Sequence, residues 1–421
     1  MTAATIGAAR LRNAGAFWWT VVLLGIVLGG SAVVSPLYGV YQQAWHFSAI
    51  SLTEVFAVYA GALLVVLLFA GSLSDYVGRR PMIALSLAAE AGAAVLFLDA
   101  HGIGALFAAR SLQGIATGAG VGALGAALLE LAPADRPTLG ATVNSGGSSA
   151  ALAVAALGAG AVIQYGPAPT HLVFWLLLGS SLVGLISVLV IPEPGARRTL
   201  HLGALRPNAG IPRPARRAFV AALPALIASW SLGGLYFSLG PSIAEDLAHS
   251  SDAVWGGLVI FALTSTGAIV TVLIQRRSPH HAMIGGSAVL AVGAAVTLAT
   301  MLAGSATWFF VATAATGIGF GASFLGAFRH LSNLAAPHER GALIGTIYLV
   351  AYLSFSVPVI VVGVITTHIG LHDAGIYYAA FVSALALVAT VAGLLLARAE
   401  GAAAVPTPTL DALADTGISP G

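Results

Sequence analysis

Neither cysteine nor lysine occurs anywhere in this chain of 421 residues. The first absence excludes disulfides and thiol chemistry, but it leaves the compartment open, because a membrane-spanning chain needs neither. The second removes any G-x-x-x-x-G-K-[ST] phosphate loop, so the chain does not hydrolyse ATP, and it removes any Schiff base to retinal. Charge is scarce as well. Only 8% of residues are charged, where a soluble domain carries about a quarter. With 58% hydrophobic residues and a mean hydropathy of +0.95, such a chain cannot cover itself with a water-facing surface and belongs in lipid.

What is present is a series of apolar windows, each long enough to cross a hydrocarbon core of about 30 Å as a helix. They run over residues 17–41, 51–72, 81–98, 102–129, 138–164, 172–191, 219–240, 254–274, 282–302, 307–328, 342–367 and 376–397. Helix is the form expected, since open strands would leave backbone groups unpaired in lipid and the alternation of a membrane barrel is missing. The first window is too long for a removable signal peptide and is expected to stay as an anchor.

All seventeen basic residues are arginines, and apart from Arg110 they fall at or beside alternate connections on one side. By the positive-inside rule that side is cytoplasmic and holds both termini. The sequence pI near 9.0 then reports this asymmetry, with no nucleic-acid partner implied. Short echoes recur at an offset near 204: Leu28-Gly29-Gly30 with Leu232-Gly233-Gly234, Gly114-Ile115 with Gly317-Ile318, and Asp135-Arg136 with Glu339-Arg340. Six spans return a chain to its starting side, so duplicated halves share one orientation. The expected domains are a half at 1–191, a cytoplasmic linker at 192–217 rich in Pro, Gly and Arg, a second half at 218–398, and a disordered cytoplasmic tail at 399–421.

Between the second and third windows stands Gly71-Ser72-Leu73-Ser74-Asp75-Tyr76-Val77-Gly78-Arg79-Arg80. This resembles the loop signature of the major facilitator superfamily, G-x-L-x-D-[RK]-x-G-R-[RK], with Tyr76 in place of the usual base. Arg110-Ser111-Leu112-Gln113-Gly114 resembles the family's fourth-helix pattern R-x-x-Q-G. The resemblance implies an all-α membrane protein of twelve transmembrane helices in two parallel six-helix halves, a transporter and not an enzyme. It also implies a latch on the arginine side: Asp75 against the start of the eleventh helix, Arg79 against Glu130, with Gly71, Gly78 and Arg80 shaping the loop. In the second half the equivalent place holds only Gln275-Arg276-Arg277, so an asymmetric latch is expected. The fifth helix carries Asn144, Gly146, Gly147, Gly158 and Gly160 but lacks the Gly-Pro of many proton antiporters.

An arginine near mid-span costs about 2.5–3.5 kcal/mol and must be paired. Glu90 lies at similar depth to Arg110 and Glu54 nearer the opposite surface, so these two acids are the candidate partners and the candidate proton carriers. The competing reading is a purely structural arginine. In the resembled architecture helices one, four, seven and ten line the cavity, offering Tyr38, Tyr41, Gln113, Trp230, Tyr236, Phe320 and Phe324. That lining is mostly aromatic and favours a lipophilic or amphiphilic small molecule.

The sequence therefore reads as a secondary transporter in an inner membrane, working by alternating access and exporting lipophilic compounds as a monomer in the lipid bilayer. Protons are the candidate coupling ion, and no cofactor or metal is called for. An importer of a small organic solute and a non-transporting receptor or scaffold are the alternatives. A reporter fused at Ala209 is expected on the cytoplasmic side and one at Ala248 outside; the reverse pattern overturns the span assignment.

Overall fold

The structure, a computed structural model, describes residues 3–70, 73–189, 191, 193, 209–336 and 339–403. The expected linker and tail fall mostly outside these residues. Among the described residues, eleven helices are long and apolar enough to cross a membrane: α1 (Ala14–Trp45), α2 (Ala49–Phe69), α3 (Arg79–Leu98), α4 (Ile103–Glu130), α5 (Leu139–Tyr165), then α7 (Arg213–Ser238), α8 (Ala253–Leu273), α9 (Pro279–Leu302), α10 (Ala306–Leu334), α11 (Arg340–Ile369) and α12 (Leu371–Ala399). A twelfth, α6 (Leu172–Ser187), is equally apolar but has 16 residues, about 24 Å of helix at 1.5 Å per residue. Large apolar side chains such as Trp18, Val154, Trp175, Leu273, Trp308 and Val361 point outward on these spans, as lipid permits and water does not.

The apolar windows locate the spans but misplace several ends. Helical hydrogen bonding runs past the point where hydropathy falls, so α10 continues to Leu334 and α12 begins at Leu371. The first span is not one rod either. It passes through a 3-10 turn at Ser35–Leu37, opened by Pro36, and resumes as Tyr38–Trp45. Proline removes a backbone donor and clashes with the preceding turn, which breaks the helix there. Past α7 the same event recurs: Pro241 opens a separate helix, Gly240–Ala248. The two continuations end alike, on His46 (φ 52°) and His249 (φ 49°) in the left-handed region. The sequence repeat thus extends to the way each leading span bends.

Packing repeats too. Helix α4 packs on α2 and α3, α6 on α3, and α5 on α1; α10 packs on α8 and α9, α12 on α9, and α11 on α7. The halves meet chiefly along α2 with α11 and α5 with α8. A twofold axis exchanging the halves carries one of these seams onto the other. Lipid supplies no hydrophobic drive between helices, so close approach at small residues is what holds them. At the α5–α8 seam a Cβ on Gly257 would lie 2.5 Å from the Ala156 carbonyl oxygen, and one on Gly160 would lie 2.8 Å from that of Ala253. At the α2–α11 seam Gly363 leaves room for Thr53, and Phe56 meets Phe355 at 4.8 Å between ring centroids.

Helix α5 begins irregularly. A turn at Leu139–Thr142 passes into a π-helical stretch, Val143–Gly147, before regular helix starts at Ser148. Thr142 and Ser145 hydroxyls donate back to main-chain carbonyls there, and two successive glycines give little side-chain packing to resist the wider winding. Gly146 sits against Val272 of α8, and Thr142 donates to the Gln275 amide oxygen at 2.7 Å.

The seam contacts predict an asymmetric response to added volume. Gly257→Val should destabilise the folded protein in detergent by about 1–3 kcal/mol, seen as a lower melting temperature. Gly158→Val is the control, since nothing lies within 4 Å of a Cβ there, and it should leave that temperature unchanged.

Candidate translocation and coupling site

On the arginine side, a short helix Ser74–Val77 turns into α3 through Gly78, whose φ of 109° and ψ of 158° are open almost only to glycine. That turn brings Arg79 beside three acceptors. Its guanidinium meets Asp75 at 2.5 Å and Glu130 at 2.9 Å, and donates to the Ser74 hydroxyl at 2.6 Å. Glu193 accepts the backbone N–H of Arg79 at 2.5 Å and that of Arg80 at 3.3 Å, placing a carboxylate on the positive end of α3. Arg80 in turn donates to the Val188 and Leu189 carbonyls at the closing end of α6. Arg79 and Glu130, expected from the sequence to pair, stand within ion-pair distance. Asp75 is expected from the sequence against the start of α11; among the described residues its ion-pair partner is Arg79, in its own half. Gly71 lies outside the described residues.

Deeper in the same half, Arg110 is 1% exposed and Glu90 0%. They do not touch as an ion pair. Gln113 stands between them, its amide oxygen accepting from an Arg110 Nη at 2.5 Å and its amide nitrogen donating to Glu90 Oε1 at 2.9 Å and to the Gly30 carbonyl at 2.8 Å. The same Arg110 nitrogen donates to the Ser31 carbonyl at 3.2 Å. Gly30 leaves room for the Glu90 carboxyl, which would have to shift to admit a Cβ there. Among the described residues, Glu90 Oε2, Arg110 Nε and the Tyr38 hydroxyl are buried without a hydrogen-bond partner. Glu54 is exposed on α2 and takes no part. Of the two acids expected as partners, the structure brings only Glu90 to Arg110.

The aromatic residues divide. Trp230 of α7 meets Phe324 of α10 at 5.3 Å, and Tyr352 and Phe355 of α11 at 4.9 and 5.6 Å. Phe320 packs over Gly233 nearby. Tyr41 lies apart, stacked on Trp45 at 4.6 Å, and Tyr236 bonds Thr313 through its hydroxyl at 3.0 Å. Tyr236 lines a cavity with Ile243, Thr297 and Phe309 of about 20 Å³, room for one water and no substrate. The α11 aromatics escaped the sequence reading, which looked only at helices one, four, seven and ten. Their spacing, Tyr348, Tyr352 and Phe355 on one helical face, was the available signal.

On the side opposite the arginines the halves are clasped. Gln164 of α5 donates to Asp252 at 2.8 Å and accepts the Ala253 backbone N–H at 3.2 Å, capping α8 from across the seam. Glu245, in the helix between α7 and α8, sits over Gly39, where a Cβ would lie 2.9 Å from its carboxyl oxygen. Burial pushes the Glu245 carboxyl up to about 7.

Residues 20–358 match the Major Facilitator Superfamily. The chain belongs to that superfamily. No curated protein matches it in sequence. In fold it is similar to a crystal structure of a bacterial homologue of the human lysosomal transporter Spinster, in an inward-facing and unoccupied conformation, with a TM-score of 0.71 at 14% identity over 91% of this chain and 97% of that one. As a facilitator the chain is a multi-pass membrane protein and a secondary transporter, not an enzyme.

Two outcomes follow for this facilitator. Gln113→Leu leaves an Arg110 donor and Glu90 Oε1 unpaired in the bundle, and should lower stability by about 1–3 kcal/mol per orphaned group, read from thermal melts. The carboxyl of Glu245 has its ordinary value at 4.5 and is raised by folding, so the folded seam binds more protons between pH 4.5 and 7. Stability should fall as pH rises through that window and level off above it. The fall should be shallower in Glu245→Gln; equal slopes in the two proteins would show that burial of this carboxyl is not felt.

Proposed function

We propose that this transporter exports lipophilic or amphiphilic small molecules by alternating access, in exchange for protons, across an inner membrane with the arginine side in the cytoplasm. The observation that carries the reading is the buried Glu90–Gln113–Arg110 group lying in the half that faces an aromatic cluster. The aromatic surface supplies area and polarizable faces with few hydrogen-bonding groups, which suits apolar solutes better than sugars or phosphorylated metabolites. The buried carboxyl supplies a proton site. When Glu90 is ionised, Gln113 transmits its charge to Arg110; when Glu90 is protonated, the arginine charge must be met by its other neighbours. Those two states favour different packings of the half, and a solute that binds one packing better shifts the balance.

The halves 1–191 and 218–398 act as the rocking units, with the seams α2–α11 and α5–α8 opening and closing between them. The Asp75, Arg79 and Glu130 group, with Gly78 and Arg80, holds the first half together on the arginine side and is available to meet α11 when that side closes. A single chain contains both halves and works as a monomer.

In proteoliposomes loaded with a lipophilic fluorescent dye, an imposed pH gradient should drive dye movement in the native protein. Arg110→Gln should abolish the gradient-driven part while leaving dye binding in detergent, measured by fluorescence anisotropy, within about threefold of native. Glu90→Gln should behave the same way, and the double variant should be little worse than either, as for two members of one network. Additive losses would separate the residues, and dye movement indifferent to the gradient would remove protons from the mechanism.

A further inference from the structure

Tyr59 of α2 occupies a place that the transport reading leaves unused. Its ring lies under the Arg110 guanidinium, 4.1 Å from carbon Cζ to ring centroid, while the Phe56 ring is 6.0 Å away. Its hydroxyl faces Ser31 and Thr117 inside the first half. Tyr59 forms a small buried cluster with Ala60 and Leu63 on the α2–α11 seam, and Tyr352 and Phe355 of the opposite half pack against that cluster. Tyr352 is in turn 4.9 Å from Trp230 and 6.2 Å from Tyr348. A contiguous path therefore runs from Glu90 through Gln113 and Arg110 to Tyr59, and across the seam into the aromatic cluster.

We infer that Tyr59 is the positioning residue through which the charge on the Arg110 site acts on the α2–α11 seam. A cation over an aromatic face is attracted by the ring quadrupole, most strongly where water is excluded, as here. How strongly Arg110 leans on Tyr59 depends on how much of its charge Glu90 meets through Gln113. A more tightly held Tyr59 presents a fixed ring to Tyr352, and a released one does not. Phe56 also spans the seam, tilted against Phe355 at 4.8 Å, but at 6.0 Å from the guanidinium it sits at the edge of cation–π reach and feels the charge more weakly than Tyr59 does at 4.1 Å. The inference rests on the proton reading of the same site.

The absence of cysteine makes the test direct. Spin labels at Ser48→Cys and His368→Cys, both on exposed residues at the far ends of α2 and α11, report the seam opening as a distance. Glu245→Gln is included in every protein so that the far-side carboxyl does not contribute. The titratable or charged groups that then face Glu90 are Tyr59 of α2 and Arg110 of α4, with Tyr38 of α1 facing those two in turn, and α6 carries none. The reference protein should change its distance distribution between acidic and alkaline buffer. Tyr59→Phe, which keeps the ring, should retain that change; Tyr59→Leu, which keeps the bulk but not the quadrupole, should lose most of it, as should Arg110→Gln. Phe56→Leu, at the weaker contact, should retain most of it. An unaltered pH response in Tyr59→Leu overturns the inference alone. A reference protein that ignores pH overturns the proton reading, and the inference with it. Should Tyr59→Leu not fold, Tyr352→Leu breaks the same contact from the other half and carries the same two outcomes.

Discussion

A guanidinium that cannot reach water has to be answered from within the bundle, and much of the first half is arranged around that demand. Arg110 is too deep to extend its side chain to either surface, so backbone and side-chain acceptors must come to it. Ser31 offers a carbonyl, and Gln113 an amide oxygen from the next turn of the same helix. Tyr59 offers a ring face. The counter-charge on Glu90 sits one residue further out, held by the other end of the Gln113 amide. An amide suits this position because it accepts on one side and donates on the other, and so joins a cation to an anion without being charged itself.

The second constraint is that lipid does not push helices together. Cohesion between the halves comes from close contact at Gly160, Gly257 and Gly363, and from a few polar clasps. Such contacts are individually modest, as the proposed opening of a seam within the transport cycle requires. The clasp of Gln164 on Asp252 and the start of α8 joins half-buried polar groups at the end of the seam, the kind of contact that the proposed cycle would form and break. On the arginine side the ion pairs of Arg79 stay within the first half. The chain as folded here is thus clasped between halves on the far side, while its loop signature serves the half that carries it.

The twofold relation between halves explains why the seams come as a pair and why the leading spans bend alike. It is a relation of backbone and packing, not of chemistry. Among the described residues, the buried charged group has no counterpart in the second half, where Trp230, Tyr352 and neighbouring rings cluster instead. One half carries the ionisable site and the other the apolar surface, and the α2–α11 seam is where they meet.

Span number, helical form and the facilitator resemblance were legible in the sequence because each depends on local quantities: hydropathy over about twenty residues, backbone pairing in lipid, and short motifs. Arg110 was legible for the same reason, since a lone arginine in an apolar run has to be paired wherever it lies. Its partners were not. Glu54 and Glu90 are both acids in apolar helices, and which one reaches Arg110 depends on helix rotation and tilt, set by packing against neighbours that hydropathy does not describe. The tertiary structure turned Glu54 outward, set Gln113 between Glu90 and Arg110, and carried Tyr59 to the seam against Tyr352. Those outcomes rest on contacts between residues far apart in the chain, such as Gly30 with Glu90 and Gln164 with Asp252, and only the folded arrangement of helices brings such groups within reach of one another.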